Sequence, residues 1–234
     1  VFSALISVYL LDKDFKASEV SLVVSTSFLT SMIFQPVIGM FSDRYDVKKV
    51  NFVLFTLAGI GGLAFMFADS LITITIGYSF VLTLINGTNP VMEKIASSSP
   101  YQYGKIRIWG TIGYATGSWL AGMIYQLISP SAIFICFIIT MILCIIGLLG
   151  TQTPSELGQN NEEKTKTSTL FHNYKYLYYL IIAAIFQGIT NMANTYIPAM
   201  FQNDGLKVSL VSTILSFAVL CEAPLVLFSH KFMD

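Results

Sequence analysis

Apolar residues in this chain gather in long continuous runs, at residues 1–10, 19–41, 50–68, 71–92, 104–128, 131–150, 176–201 and 207–230, with short polar breaks between them. A run of about 20 residues wound as a helix rises about 30 Å, the thickness of a bilayer's hydrocarbon core. The pattern therefore predicts eight membrane-crossing helices, the first of them short. Strands of a membrane barrel would alternate apolar and polar residues with period two, and these runs do not alternate.

Composition agrees with the pattern. Hydrophobic residues make up 54% of the chain, charged residues only 11%, and mean hydropathy is +0.69, values that disfavour a soluble domain. Val1 falls inside an apolar run and Asp234 directly after one, with no initiator Met and no signal-peptide pattern, so the chain is expected to be a piece of a longer protein. Cys136, Cys144 and Cys221 all lie within apolar runs, which suits reduced packing residues better than disulfides or metal ligands.

Charge adds the orientation. Arg44, Lys48, Lys49, Lys94, Lys105, Arg107, Lys164, Lys166, Lys175 and Lys231 fall on one side of the predicted topology, whereas Lys13, Lys16 and Lys207 fall on the other. Loops 42–49, 93–107 and 151–175 are accordingly expected in the cytoplasm of a multi-pass protein of the cell membrane. Acidic and basic residues balance at 13 each, and topology accounts for the basic ones, so nothing points to nucleic acid. A Gly-rich phosphate loop, zinc-ligand spacing and a plausible catalytic triad are all lacking, so neither a metal nor an enzymatic role is expected.

The stretch Thr151–Lys166 is polar, contains Pro, Gly and Asn, and has no apolar period, so residues 151–170 read as a cytoplasmic linker. Six spans precede it and two follow. The second span opens Val20-Ser21-Leu22-Val23 and the eighth Val208-Ser209-Leu210-Val211. Each carries a proline near its cytoplasmic end, Pro36 and Pro224, followed by Phe-Ser at 41–42 and 228–229. Such an echo six spans apart predicts parallel halves: residues 1–150 as a six-helix half with its first helix incomplete, and 171–234 as the first two helices of a second half.

The hairpin Gly39-Met40-Phe41-Ser42-Asp43-Arg44-Tyr45-Asp46-Val47-Lys48-Lys49 resembles the loop between helices 2 and 3 in the major facilitator superfamily, whose usual form is G-x-x-x-D-R-x-G-R-R. Asp46 stands where the family has glycine, and its tolerance of a left-handed backbone is expected to preserve the turn. A second segment, Tyr103-Gly104-Lys105-Ile106-Arg107-Ile108-Trp109-Gly110-Thr111-Ile112-Gly113-Tyr114-Ala115, resembles the start of helix 5 in the lactose permease, nucleoside/proton symporter and phenylpropionate-permease-like branch. The resemblance implies an all-α membrane protein, a truncated helical bundle of this superfamily, working by alternating access without a cofactor beyond a coupling proton. It assigns Gly39, Asp43, Arg44, Lys48 and Lys49 to a gating loop, and it places the arginine matching Arg107 at the central cavity. For Lys48 and Lys49 taken alone, an ordinary positive-inside loop explains them better.

Polar residues within the spans mark the candidate chemistry. Arg107, Thr111, Tyr114 and Ser118 recur at helical spacing and share one face of the fifth span, while Gly110, Gly113, Gly117 and Ala121 form an adjacent strip expected to admit a neighbouring helix. The alternative for Arg107 is snorkelling to the headgroups. Glu222 lies deep in the eighth span with no partner nearby in sequence. A charged carboxylate facing lipid there would cost at least about 3 kcal/mol, so it must face the interior, be protonated, or both. Removal from water favours the neutral form of a carboxyl group, and on that ground Glu222 is expected to exchange a proton. A helix-8 glutamate contributes to binding and coupling in the symporters that the chain resembles. The structural alternative is a glutamate bonded to a neighbouring helix.

Asn86 and Asn89 on the fourth span, followed by Glu93, and Gln187, Asn191 and Asn194 on the seventh, lie at helical spacing and offer donors and acceptors without charge. They suit either a polar ligand or hydrogen bonds between helices. Aligned without gaps from Arg107, the family's helix-4 acidic residue falls on Asn89, which weighs against a galactoside; Glu93 is expected to end its helix at the cytoplasmic surface. Arg107 and Glu222 are expected to act across the cavity, in contact or through a bridging substrate or water. Tyr174, Tyr176, Tyr178 and Tyr179 read as an interfacial aromatic belt, and His172 and His230 receive no role in proton transfer. The reading is of a proton-coupled symporter, monomeric at full length, for a nucleoside, sugar or organic acid. The alternatives are an exporter or uniporter of the same superfamily, a non-transporting membrane sensor, or an inactive fragment.

Overall fold

In the computed structural model of the chain, residues 5–97, 99–151 and 174–227 are described. They form eight helices, α1 (Ile6–Asp12), α2 (Ala17–Arg44), α3 (Val47–Phe65), α4 (Leu71–Ser97), α5 (Tyr103–Leu127), α6 (Ala132–Leu149), α7 (Tyr174–Asn203) and α8 (Val208–Leu227), with no strand among the described residues. Each apolar run has become one helix. The linker beyond Thr151, together with His172 and His230, lies outside the described residues. Six helices, all but α1 and α5, are long and apolar enough to cross a membrane. The exceptions have separate causes: α1 has only 7 residues, whereas α5 has 25 but carries the polar stripe.

Helix α2 packs along α4, α3 along α4 and α6, α5 along α8, and α1 against α7 and α2. Small side chains set these approaches. A Cβ at Gly87 would come within 2.5 Å of Ile38 Cδ1, so α4 can press against α2 only because residue 87 has no side chain. The same seam is stitched by Ser27 to Ser79 at 2.9 Å and by Asn86 Nδ2 donating to Ser31 Oγ at 3.0 Å. Away from water such bonds leave fewer polar groups unpaired, which is how mostly apolar helices select a register. At the other end of α3, Phe65 packs on Phe134 of α6 with ring centroids 5.2 Å apart, and Tyr9 of α1 meets Phe134 edge-on at 5.0 Å. This cluster ties the short first helix into the bundle.

The turns show why the chain reverses where it does. Asp46 does not take the left-handed conformation expected of it: its φ is −59° and ψ 126°, and its carboxylate accepts the backbone N–H groups of Lys48 (2.8 Å) and Lys49 (3.1 Å). It is the N-cap of α3, satisfying donors that the first turn of a helix leaves unpaired. Left-handed backbone occurs instead at Asp14 (φ 63°), between α1 and α2, and at Gly205 (φ 87°), between α7 and α8. Two faces result. Arg44, Lys48, Lys49, Lys94, Lys105 and Arg107 lie towards one, here called the basic face, while the α1–α2, α3–α4, α5–α6 and α7–α8 turns lie at the opposite one.

Candidate functional site

A close approach between the first six helices and the last two is at Gly122 on α5. A Cβ there would stand 2.1 Å from Ser212 Oγ and 3.3 Å from the Val208 carbonyl of α8. The small residues Ala115, Ser118, Ala121 and Gly122 of α5 are all buried. Gly110 and Gly113, expected in the packing strip, face open space, with nothing within 4 Å of a Cβ. The strip is rotated and shifted towards the turn side, because the polar stripe and the packing face converge at Ser118 instead of lying side by side.

From that contact towards the basic face, α5 and α8 part and leave a cavity of about 110 Å³ lined by Leu5, Tyr114, Ser118, Asn194, Ser212, Leu215, Ala218, Val219 and Glu222. It draws residues from α5, α7 and α8, with Leu5 just ahead of α1. Along α8 it reaches from Ser212 to Glu222, ten residues or roughly 15 Å. Four of the residues singled out in the sequence, Tyr114, Ser118, Asn194 and Glu222, meet on its wall. Glu222 lines the cavity but is exposed, so the removal from water expected of it is not found, and it has no hydrogen bond to a neighbouring helix among the described residues. The wall offers a phenol, an amide, two hydroxyls and one carboxylate, set among aliphatic side chains. Such a surface can orient a small polar molecule through a few placed hydrogen bonds while aliphatic contacts hold its carbon face. One of the two hydroxyls, Ser118 Oγ, is buried with no partner among the described residues.

Arg107 stands apart from this group. It lies seven residues from Tyr114 along α5, roughly 10 Å nearer the basic face, and its Nη1 donates to Glu93 Oε2 of α4 at 2.6 Å. Tyr103 donates its hydroxyl to the other carboxylate oxygen of Glu93. Glu93 thus does more than end a helix: it holds Arg107 to α4. With Gly122 level with Ser212, antiparallel α5 and α8 put Glu222 near the level of Ile112, about five residues or 7–8 Å from Arg107 along the axis. Their side chains lean in opposite directions, Arg107 towards the basic face and Glu222 away from it. No hydrogen bond or ion pair joins Arg107 to Glu222 among the described residues, and Arg107 is paired with Glu93 instead.

The other expected site residues are dispersed. Thr111 lies on the stripe between Arg107 and Tyr114, its hydroxyl directed to the Arg107 carbonyl at 3.5 Å. Asn86 is engaged in the α2–α4 seam. Asn89 and Gln187 are exposed, Asn191 is half-buried, and none of the three lines the cavity. In the hairpin, Asp43 reaches Lys94 of α4 at 3.9 Å, tying the α2 end to the neighbouring helix end, while Gly39, Arg44 and Lys49 are exposed. Sequence reading passed over Ser212 and Gly122, whose roles depend on which helix comes to lie opposite. It also passed over Asp12, Tyr125, Gln126 and Gln202, polar residues at span ends.

Comparison with known proteins bears on this geometry. The chain is 26% identical over 98% of its length to the uncharacterized transporter YwbF of Bacillus subtilis, covering 59% of that protein. It is 28% identical over half its length to a raffinose permease of Escherichia coli, covering 30% of it, and 21% identical over 87% to a probable 3-phenylpropionic acid transporter of Escherichia coli K12, covering 55%. The chain thus spans between about a third and three fifths of these relatives. No solved structure matches. A profile of the Major Facilitator Superfamily matches residues 1–234 from end to end, and this all-helical, multi-pass membrane chain, with its cavity between α5 and α8, belongs to that superfamily.

Proposed function

We propose that the full-length protein is a proton-coupled symporter for a small polar organic solute, a nucleoside, sugar or organic acid, that works by alternating access. One observation carries the reading: Glu222, the acidic side chain on the cavity wall, shares that wall with Tyr114 and Asn194. A lone carboxylate beside hydrogen-bonding groups can exchange a proton with the solution and a hydrogen bond with a ligand at one place. Occupancy and protonation are then linked there. The names of relatives, permeases for raffinose, melibiose and lactose and a probable transporter for 3-phenylpropionic acid, fit a solute of this size.

On this reading residues 1–150 form one half, 151–170 a linker and 171–234 the start of the second half, and the basic face is cytoplasmic by the positive-inside rule. The two halves rock about the cavity, opening it to one side of the membrane at a time. Arg107, Thr111, Asn86, Asn89, Gln187 and Asn191 then serve as approaches or second contacts to the site, with the Gly39–Lys49 hairpin acting at the cytoplasmic end.

The test is a pH recording. Full-length protein in de-energised, lightly buffered cells is offered graded nucleosides, sugars and organic acids. A symporter makes the medium more alkaline when its solute is added. Solute flux with unchanged pH would assign a uniporter, acidification a proton-exchanging exporter, and binding without flux in proteoliposomes a sensor.

A further inference from the structure

Among the described residues, the side-chain hydrogen bonds that join α1–α6 to α7–α8 gather away from the basic face. Ser7 Oγ donates to the Thr195 carbonyl at 2.5 Å, and the Ser209 N–H in the first turn of α8 donates to Gln126 Oε1 at 3.0 Å. At the centre of this set stands Asp12. Its Oδ2 accepts the hydroxyl of Tyr125 from α5, and its Oδ1 accepts Nε2 of Gln202 from α7 at 2.7 Å. One carboxylate therefore joins three helices, two from the first group and one from the second.

Nothing local to α1 explains an acid here. Asp12 lies in the last turn of its helix, where the helix dipole disfavours negative charge. The neighbouring cation does not balance it either, because Lys13 turns to Asp69 at 3.1 Å. Tyr125 is only 5% exposed, so its hydroxyl is carried into place by the α5 packing. Beneath the three residues comes the Gly122–Ser212 contact, which seals α5 against α8.

We infer that Asp12 is a positioning residue that latches this face of the cavity shut, with Tyr125 and Gln202 as its two donors. The inference rests on the alternating-access reading for its purpose. When the face opens, Gln202 leaves with α7 while Tyr125 stays with α5, so the Asp12–Gln202 bond is the one that breaks. Bonds to a charged acceptor are among the stronger ones available, which makes this a hold worth several-fold in a two-state equilibrium.

The test uses an exchange of groups in the full-length protein, freed of its native cysteines, Cys136, Cys144 and Cys221 among them, and carrying Leu215→Cys in the cavity wall as reporter. Asp12→Asn replaces the charged acceptor with a neutral amide, so that both bonds lose their charge assistance. Gln202→Glu sets two carboxylates against each other. Combined, the amide at position 12 can accept from Tyr125 and donate to the carboxylate at 202. A membrane-impermeant thiol reagent applied at the non-basic face should label each single variant about tenfold faster than the parent. From the basic face, labelling should slow. The double variant should return towards parental rates on both sides. Parental rates in the single variants, faster labelling from both faces at once, or no recovery in the double variant would overturn the latch. Because no solute is needed, these outcomes are read even if transport itself fails.

Discussion

A charged group's position in this chain says less about its role than the partner it meets. Arg107 and Glu222 are each the conspicuous ion of a largely apolar helix, yet one is held by Glu93 and Tyr103 while the other opens on the cavity. The Arg107 and Glu93 side chains are 53% and 45% exposed, so their attraction is screened and worth only about 1 kcal/mol or less. A double-mutant cycle with Arg107→Gln and Glu93→Gln, read as thermal unfolding of the full-length protein, should give a coupling energy in that range, and coupling well above it would mean that the pair is closed off from water. Glu222 was legible from sequence because a carboxylate within an unbroken apolar run has few harmless explanations. The partner of Arg107 was not, because Glu93 sits where a helix end would carry a charge in any case. Asp46 shows the same limit: its departure from glycine was visible, but capping of the Lys48 and Lys49 amides depends on the path of the chain.

Helix positions followed from the apolar runs almost directly, since a long hydrophobic stretch is a local property that needs no knowledge of neighbours. Which residues of a helix face which neighbour is not local. On α5 the glycines at 110 and 113 looked like a packing strip, whereas the contact with α8 falls at Gly122. Gly122→Leu should force α5 and α8 apart and lower stability by about 1–3 kcal/mol, the usual penalty for overpacking. Gly113→Ala, which meets open space, should leave the protein at least as stable, because alanine favours a helix over glycine. Thermal unfolding of the two variants checks both, and equal losses would show that the α5–α8 contact is not the tight one. The latch residues escaped notice for a related reason: Asp12, Tyr125 and Gln202 are polar groups at three span ends separated by 113 and 190 positions from the first. Each reads alone as ordinary loop chemistry.

At the scale of the whole molecule, the α5–α8 contact and the Asp12 bonds join the two groups of helices on one face, while the cavity begins beneath them and runs towards the basic face. The superfamily was legible from the Gly39–Lys49 hairpin and the start of α5, and the match of residues 1–234 agrees with it. Solute identity was not, because the wall of Tyr114, Ser118, Asn194, Ser212 and Glu222 presents hydrogen-bonding groups common to recognition of many polar molecules. The proposed coupling is more narrowly placed, since the proposal rests on a single carboxylate, Glu222, at the cavity wall. The direct measurement is solute accumulation by full-length protein under an imposed proton gradient, compared with its Glu222→Gln variant, which has nearly the same shape but no exchangeable proton at that site. The account predicts that uphill accumulation is abolished in the variant. Accumulation at the parental level would contradict it and remove Glu222 from coupling.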